Sequence, residues 1–168
     1  MKDSSPYEVD RRRVLVLAWP IILSNLSTPL LGLVDTAVIG NQGDAALIGA
    51  VAIGAMIFSF LFWGFGFLRM GTTGLIAQAR GSNDEKEVKA TLYLSLLIAG
   101  LIGVILITIQ VPIRMLAFQL TDGSHAVESA AKAYFDVRIW TAPASLIHMV
   151  ALGYLLAQQR TTAILWLQ

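Results

Sequence analysis

Four stretches of this 168-residue chain contain no Asp, Glu, Lys or Arg: 14–34, 45–68, 90–113 and 139–159. They run to 21, 24, 24 and 21 residues, and a helix of about 20 residues crosses the hydrocarbon core of a bilayer. A further apolar run starts at Thr161. One soluble core can hide a single helix that is apolar all round, but not four in succession within so short a chain. The pattern predicts an all-α, polytopic membrane helix bundle, with four full transmembrane helices plus the start of a fifth. Hydrophobic residues make up 56% of the chain and charged residues 14%, against about 25% charged in a soluble domain. The mean hydropathy is +0.69. An ordinary soluble enzyme and a disordered chain are both excluded, the latter because it needs few apolar residues and many charges. A basic face for nucleic acid is not suggested, since 12 Lys and Arg stand against 11 Asp and Glu. No cysteine is present, and the two histidines show no HExxH or HxxxH spacing. Disulfides, thiolate zinc sites and thiol nucleophiles are therefore ruled out, and no cofactor is called for.

Residues 1–13 form a polar lead with Pro6 and the cluster Arg11, Arg12 and Arg13. A signal peptide is the weaker reading, because the apolar run that follows exceeds the roughly 7–15 residues of an h-region. Helices are expected at 14–40, 45–79, 90–112 and 130–159, with a fifth from 161. Asn41, Gln42, Gly43 and Asp44 make one turn, and Gly81, Ser82, Asn83 and Asp84 the next. Asp84, Glu85 and Glu87 suit a helix start, where the dipole favours negative charge. Residues 114–129 read as a more polar connection turning at Asp122, Gly123 and Ser124, and Arg69 is read near the headgroups. One side of the membrane collects Lys2, Arg11, Arg12, Arg13, Arg80, Lys86, Lys89 and Arg160, the other Arg114 and Lys132. This asymmetry predicts a cytoplasmic N-terminus. Ala46, Ala50 and Gly54 form a stripe of small residues, and Gly100 and Gly103 a smaller patch, read as helix-packing surfaces.

Asp35 is the residue that most needs a reason. It follows 21 uncharged residues and precedes eight more before Asp44. A charge inside a membrane helix costs at least ~2.5–3.5 kcal/mol on insertion scales. At 100° per residue, Thr28 and Ser24 fall within about 20° of Asp35 on a straight helix, and Asn25 lies about 80° away. Pro29 and Pro20 would free the backbone carbonyls of Asn25 and Val16, which is tolerated where they face protein or water. A kinked helix with a polar face and one carboxylate looks like the lining of a transport pathway. The alternative is that Asp35 pairs or caps near the outer interface. Asp136 and Arg138 fit snorkelling at the outer end of the fourth span, and His148 fits a packing histidine better than a proton relay. Trp19, Trp63, Trp140 and Trp166 read as interfacial or packing aromatics. Gln78, Gln158 and Gln159 read as polar helix ends. With no nucleophile–base pair, phosphate loop or paired carboxylates, the chain does not read as an enzyme.

The first span carries Ala18-Trp19-Pro20 and, further on, Leu30-Leu31-Gly32-Leu33-Val34-Asp35-Thr36-Ala37-Val38-Ile39-Gly40. The second ends in Phe67-Leu68-Arg69-Met70-Gly71-Thr72-Thr73-Gly74-Leu75 and Ala77-Gln78-Ala79-Arg80-Gly81, and the fourth holds Ala142-Pro143-Ala144-Ser145-Leu146 and Gly153-Tyr154-Leu155-Leu156. In these segments the chain resembles the multidrug and toxic compound extrusion (MATE) family of efflux transporters, and within it the DinF-like (DNA-damage-inducible F) branch. The resemblance implies a bacterial inner-membrane protein of twelve helices in two six-helix lobes. It implies a secondary active antiporter whose organic, often cationic, small-molecule substrates leave as H⁺ or Na⁺ enters, with H⁺ the ion of this branch. The family's coupling carboxylate falls on Asp35 and its bending proline on Pro20; Ser24, Asn25 and Thr28, taken from the helical spacing above, are expected to line the pathway.

Family members are more than twice this long. On that reading residues 14–168 are an incomplete N-lobe behind the 1–13 cytoplasmic lead. The C-terminal lobe is then a missing partner, and the piece is expected to be inactive by itself. One rival is a lipid-linked oligosaccharide flippase of the related superfamily. Such flippases place several Arg in the pathway, whereas the first two spans here show none at mid-membrane. The other rival, a small non-transporting membrane subunit, leaves a carboxylate beside two prolines unexplained.

Overall fold

The computed structural model describes residues 45–121 and 124–167, together with Leu15, Ala18, Trp19, Ile22, Leu23, Leu26, Leu30, Leu33, Val34 and Ala37. Those ten isolated residues are all helical, and all but Ala18 are exposed. Their spacing puts them on one helical face, an apolar stripe turned outward. The other residues of the first expected span, 14–40, lie outside the described residues, as does the lead 1–13.

The described helices are α1 (Ala45–Gly64), α2 (Gly66–Gly81), α3 (Glu85–Thr108), α4 (Gln110–Gln119), α5 (His125–Arg138), α6 (Ala142–Ala157) and α7 (Thr161–Leu167). No strand occurs among the described residues. Three stretches are long and apolar enough to cross a membrane: Ala46–Gly81, Glu85–Thr108 and His125–Ala157. Large apolar side chains point outward along them, with Phe60 78%, Trp63 80% and Tyr93 72% exposed. Water would penalise such a surface and lipid does not.

Each break between consecutive helices has a local cause. The expected helix 45–79 is interrupted at Phe65, whose φ of −93° and ψ of 7° leave the helical well. Gly64 and Gly66 flank it, and two glycines this close weaken a helix by roughly 1 kcal/mol each. The expected helix 90–112 starts earlier, at Glu85, because the Asp84 side chain accepts hydrogen bonds from the backbone N–H groups of Lys86 and Glu87, both 3.0 Å. It stops at Thr108 because Pro112 cannot donate to that residue's carbonyl, and the chain restarts as α4. The expected polar connection 114–129 is therefore mostly helical: α4 runs to Gln119 and α5 begins at His125. The expected helix 130–159 is α5 and α6 joined by a 3-10 turn, Ile139–Thr141. Pro143 lacks the N–H that would reach Ile139, and the Ala142 N–H bonds to that carbonyl instead.

Two ends share one closing device. Among the described residues, Asn83 and Gln159 are the non-glycine residues with positive φ, 56° each. After α2, Asp84 N–H reaches Ala79 O at 2.9 Å and Asn83 N–H reaches Arg80 O at 3.1 Å. After α6, Arg160 N–H reaches Leu155 O at 3.0 Å and Gln159 N–H reaches Leu156 O at 2.9 Å. These are paired Schellman closures, which satisfy helix-end carbonyls and turn the chain sharply.

The α1–α2 rod and the α5–α6 rod lie side by side and run in the same direction. Gly49 meets Val127, Gly54 meets Tyr134, and Thr73 bonds to Gly153 across 80 residues of sequence. Arg80 reaches Ala157 O at 3.4 Å, so the pairing persists to the end of both rods. Helix α3 runs back along α2 and α6. Around α1 and α5 the core is Ala50, Phe58, Ala131, Phe135 and Ile139, with the Phe58 and Phe135 rings 5.1 Å apart. Around α2, α3 and α6 it is Leu68, Ala99, Leu106, Ala142, Leu146 and Val150. Gly103 lies directly against Pro143, where a Cβ would overlap the proline backbone. The expected small-residue stripe does face a helix, since Ala50 and Gly54 lie under α5, whereas Gly100 meets no described residue within 4 Å.

Candidate functional site

The expected site residues Pro20, Ser24, Asn25, Thr28 and Asp35 lie outside the described residues, as does Pro29. Among the described residues, a groove of about 1030 Å³ lies beside the α1–α2 break. Helix α1 contributes Ser59, Phe62 and Trp63, and α2 contributes Phe67, Arg69 and Met70. Ser145, His148, Met149 and Leu152 come from α6, at the i, i+3, i+4, i+7 spacing that aligns one helical face. The break at Phe65 lets two helix segments present different faces to the same recess.

The walls are aromatic and thioether-rich, and the polar groups are few: two hydroxyls, an imidazole and a guanidinium. Such a surface suits an amphiphilic organic ligand, which contacts rings and methionines and is oriented by sparse polar anchors. His148 is half-buried at the groove and has no hydrogen bond to a described residue. It therefore lines the groove.

Arg69 lines the same groove and is exposed. Counted along its own helix, it follows a charge-free stretch and reads as a headgroup residue. In the structure the parallel register sets its backbone beside Gly153 of α6. It is 11 residues from Arg80, which sits at the end shared with Lys86, Lys89 and Arg160. At 1.5 Å per residue that is ~16 Å along the helix. Its backbone is held firmly. The Thr73 hydroxyl shares its proton between Arg69 O (2.8 Å) and Gly153 O (3.1 Å). A Cβ on Gly153 would stand 2.7 Å from Arg69 O, so only glycine permits this approach.

The charges at the far end are paired. Arg114 binds Asp136, and Lys132 binds Glu128 at 2.6 Å. Arg138 donates to the Tyr134 hydroxyl and lies over the Phe58 ring, 5.4 Å from its centroid. The two snorkelling candidates, Asp136 and Arg138, thus tie α5 to α4 and α1.

A MatE family model matches residues 20–167. The chain is 46% identical over 147 residues to "DNA damage-inducible protein F" of Escherichia coli (strain K12), covering 88% of this chain and 32% of that protein. It is 27% identical over 146 residues to "Multidrug resistance protein MdtK" of Klebsiella pneumoniae, covering 86% of this chain and 32% of the relative. It is 29% identical over 164 residues to "Probable multidrug resistance protein NorM" of Rhodopseudomonas palustris, covering 98% and 34% respectively. The chain spans about a third of the length of these relatives. No solved structure matches it.

Proposed function

This chain belongs to the MatE family, and from that premise we propose that it forms part of a secondary active antiporter that exports organic, often cationic, compounds in exchange for H⁺ or Na⁺. The observation that carries this reading is the family match across nearly the whole chain. The aromatic, sparsely polar groove at the helix break is consistent with it. A second lobe would complete the alternating-access machine, since such transporters rock one repeat against the other around a site near the midplane. The chain would sit in the bacterial inner membrane with its N-terminus in the cytoplasm, as the excess of basic residues on one side suggests.

In this scheme Asp35 is the coupling group. Its sequence neighbours are apolar, so the bare charge is disfavoured and binding a cation or a proton is favoured. If the two ligation states prefer different conformations, ion entry drives substrate exit by linkage alone. Pro20 supplies the bend, because a helix without that hydrogen bond flexes at lower cost. Ser24, Asn25 and Thr28 give the same face a polar lining.

The test is accumulation of a fluorescent organic cation, ethidium, in an efflux-deficient bacterial strain expressing the complete protein that carries this chain. Lower steady-state accumulation, reversed by collapsing the ion gradient, is the expected result. Unchanged accumulation with the protein confirmed in the membrane would overturn the proposal.

A further inference from the structure

The breaks in the three rods α1–α2, α3–α4 and α5–α6 fall at nearly one level of the bundle. Gly54 meets Tyr134 and Thr73 meets Gly153, both across 80 residues of sequence, so the break at Phe65 stands level with Ser145. The turn Ile139–Thr141 interrupts the neighbouring rod just short of that level. Gly103 meets Pro143 and α3 runs the opposite way, so the α3–α4 break at Ile109 stands level with Val137. All three breaks thus lie within about eight residues along the bundle, a layer ~12 Å deep.

This layer also divides the core. Phe58, Phe118 and Phe135 belong to a cluster drawn from α1, α4, α5 and Ile139, while Leu68, Leu106 and Leu146 belong to one drawn from α2, α3 and α6. Among the described residues no buried side chain is in both, and the half-buried Leu61, Phe62 and Ile113 bridge them. The polar ties keep to the same division. Arg114–Asp136 and Arg138 over Phe58 fasten the first half, and Thr73–Gly153 and Arg80–Ala157 the second. Packed cores resist deformation, whereas a helix bends readily where its hydrogen-bond ladder is interrupted. Rods packed side by side can bend together only where their breaks are level, since staggered breaks would shear a core.

We propose that α1, α4 and α5 form one rigid body and α2, α3 and α6 a second, and that the two tilt against each other about this layer of breaks. The hinge is distinct from a bend at Pro20 in the first span. It stands apart from the transporter reading, because it concerns how the chain bends and not what it carries. The groove takes Ser59, Phe62 and Trp63 from the first body and Arg69, Met70 and His148 from the second, so its width follows the tilt.

The experiment places pairs of spin labels in the complete protein that carries this chain, held in nanodiscs, with any cysteine outside the chain replaced, and reads their distances by double electron–electron resonance. Met56 on α1, Leu116 on α4, Leu75 on α2 and Tyr93 on α3 are exposed and outside both cores. The pairs 56/116 and 75/93 lie within one body, and 56/93 and 75/116 span the two. The spanning distributions should be about twice as broad as the others, because a lever of ~20 Å turns a kink of ~20° into several ångströms. Gly64→Ala with Gly66→Ala stiffens the α1–α2 rod, and a Cβ at either position meets no described residue within 4 Å. Pro112→Ala separately returns a donor to the Thr108 carbonyl. Because the rods bend together, each variant should narrow the spanning distributions and leave the within-body ones unchanged. Spanning distributions as narrow as the others in wild type, or unchanged in either stiffened variant, would overturn the proposal. The distances are read without substrate or ion gradient. Narrow spanning distributions beside intact ethidium efflux therefore reject the hinge alone, and absent efflux beside broad ones rejects the antiporter alone.

Discussion

Adding one methyl group at Gly103 separates packing from helix propensity. Gly100 and Gly103 are both interior to α3, three residues apart, so replacing either with Ala brings the same local gain of roughly 0.5–1 kcal/mol. That gain cancels when the two variants are compared. What remains is the space each Cβ enters. At Gly100 no described residue lies within 4 Å, whereas at Gly103 the new atom would overlap the Cα and ring of Pro143. Pro143 cannot swing aside, because it opens α6 directly after the 3-10 turn and its ring fixes the backbone. Separating α3 from α6 at this point should cost about 1–3 kcal/mol, the usual range for overpacking. That corresponds to roughly a fivefold to hundredfold change in the folded-to-unfolded ratio. Reversible unfolding in mixed micelles of rising dodecyl sulfate fraction reads this difference. Gly100→Ala should match or exceed wild type, and Gly103→Ala should unfold at a clearly lower fraction. Equal midpoints for the two variants would refute the close α3–α6 approach.

Thr73→Val removes the hydroxyl that joins α2 to α6 and should lose about 0.5–1.5 kcal/mol in the same assay, with Thr73→Ser keeping most of it. Asp84→Ala takes away the α3 cap at a cost of about 0.5–2 kcal/mol, while Asp84→Asn should be near neutral. Orientation can be read by placing a single thiol in this cysteine-free chain: Ser82→Cys should resist an impermeant maleimide applied to intact cells and react after permeabilisation. Labelling from outside would reverse the assigned topology.

Charge spacing made the membrane class and the approximate spans legible, because desolvation forces ionised groups out of long apolar helices. It placed the start at Thr161 where α7 begins, and it placed Asp84 at the head of α3. The helix breaks were legible in principle. Pro112 and Pro143 each deny a partner to the carbonyl four residues back, and Gly64 and Gly66 bracket Phe65, yet hydropathy alone reads through all three. The approach of the Arg69 backbone to Gly153 was not legible, because it follows from the parallel register between residues about 80 apart, which no local pattern encodes. The groove shows the same limit. Ser145, His148 and Met149 share a face by spacing, but that this face meets Ser59 and Arg69 is a property of packing. Pro20, Ser24, Asn25, Thr28 and Asp35 rest on sequence and family resemblance.

The central claim is that an ion bound at Asp35 drives export. Reconstitution of the complete transporter into proteoliposomes tests it most directly, with substrate movement and internal pH followed together under an imposed proton gradient, and a sodium gradient as the parallel arm. The account predicts ion-coupled substrate movement in wild type, and in Asp35→Asn retained substrate binding with coupled flux reduced at least tenfold. Full ion-driven transport by Asp35→Asn under both gradients would contradict it.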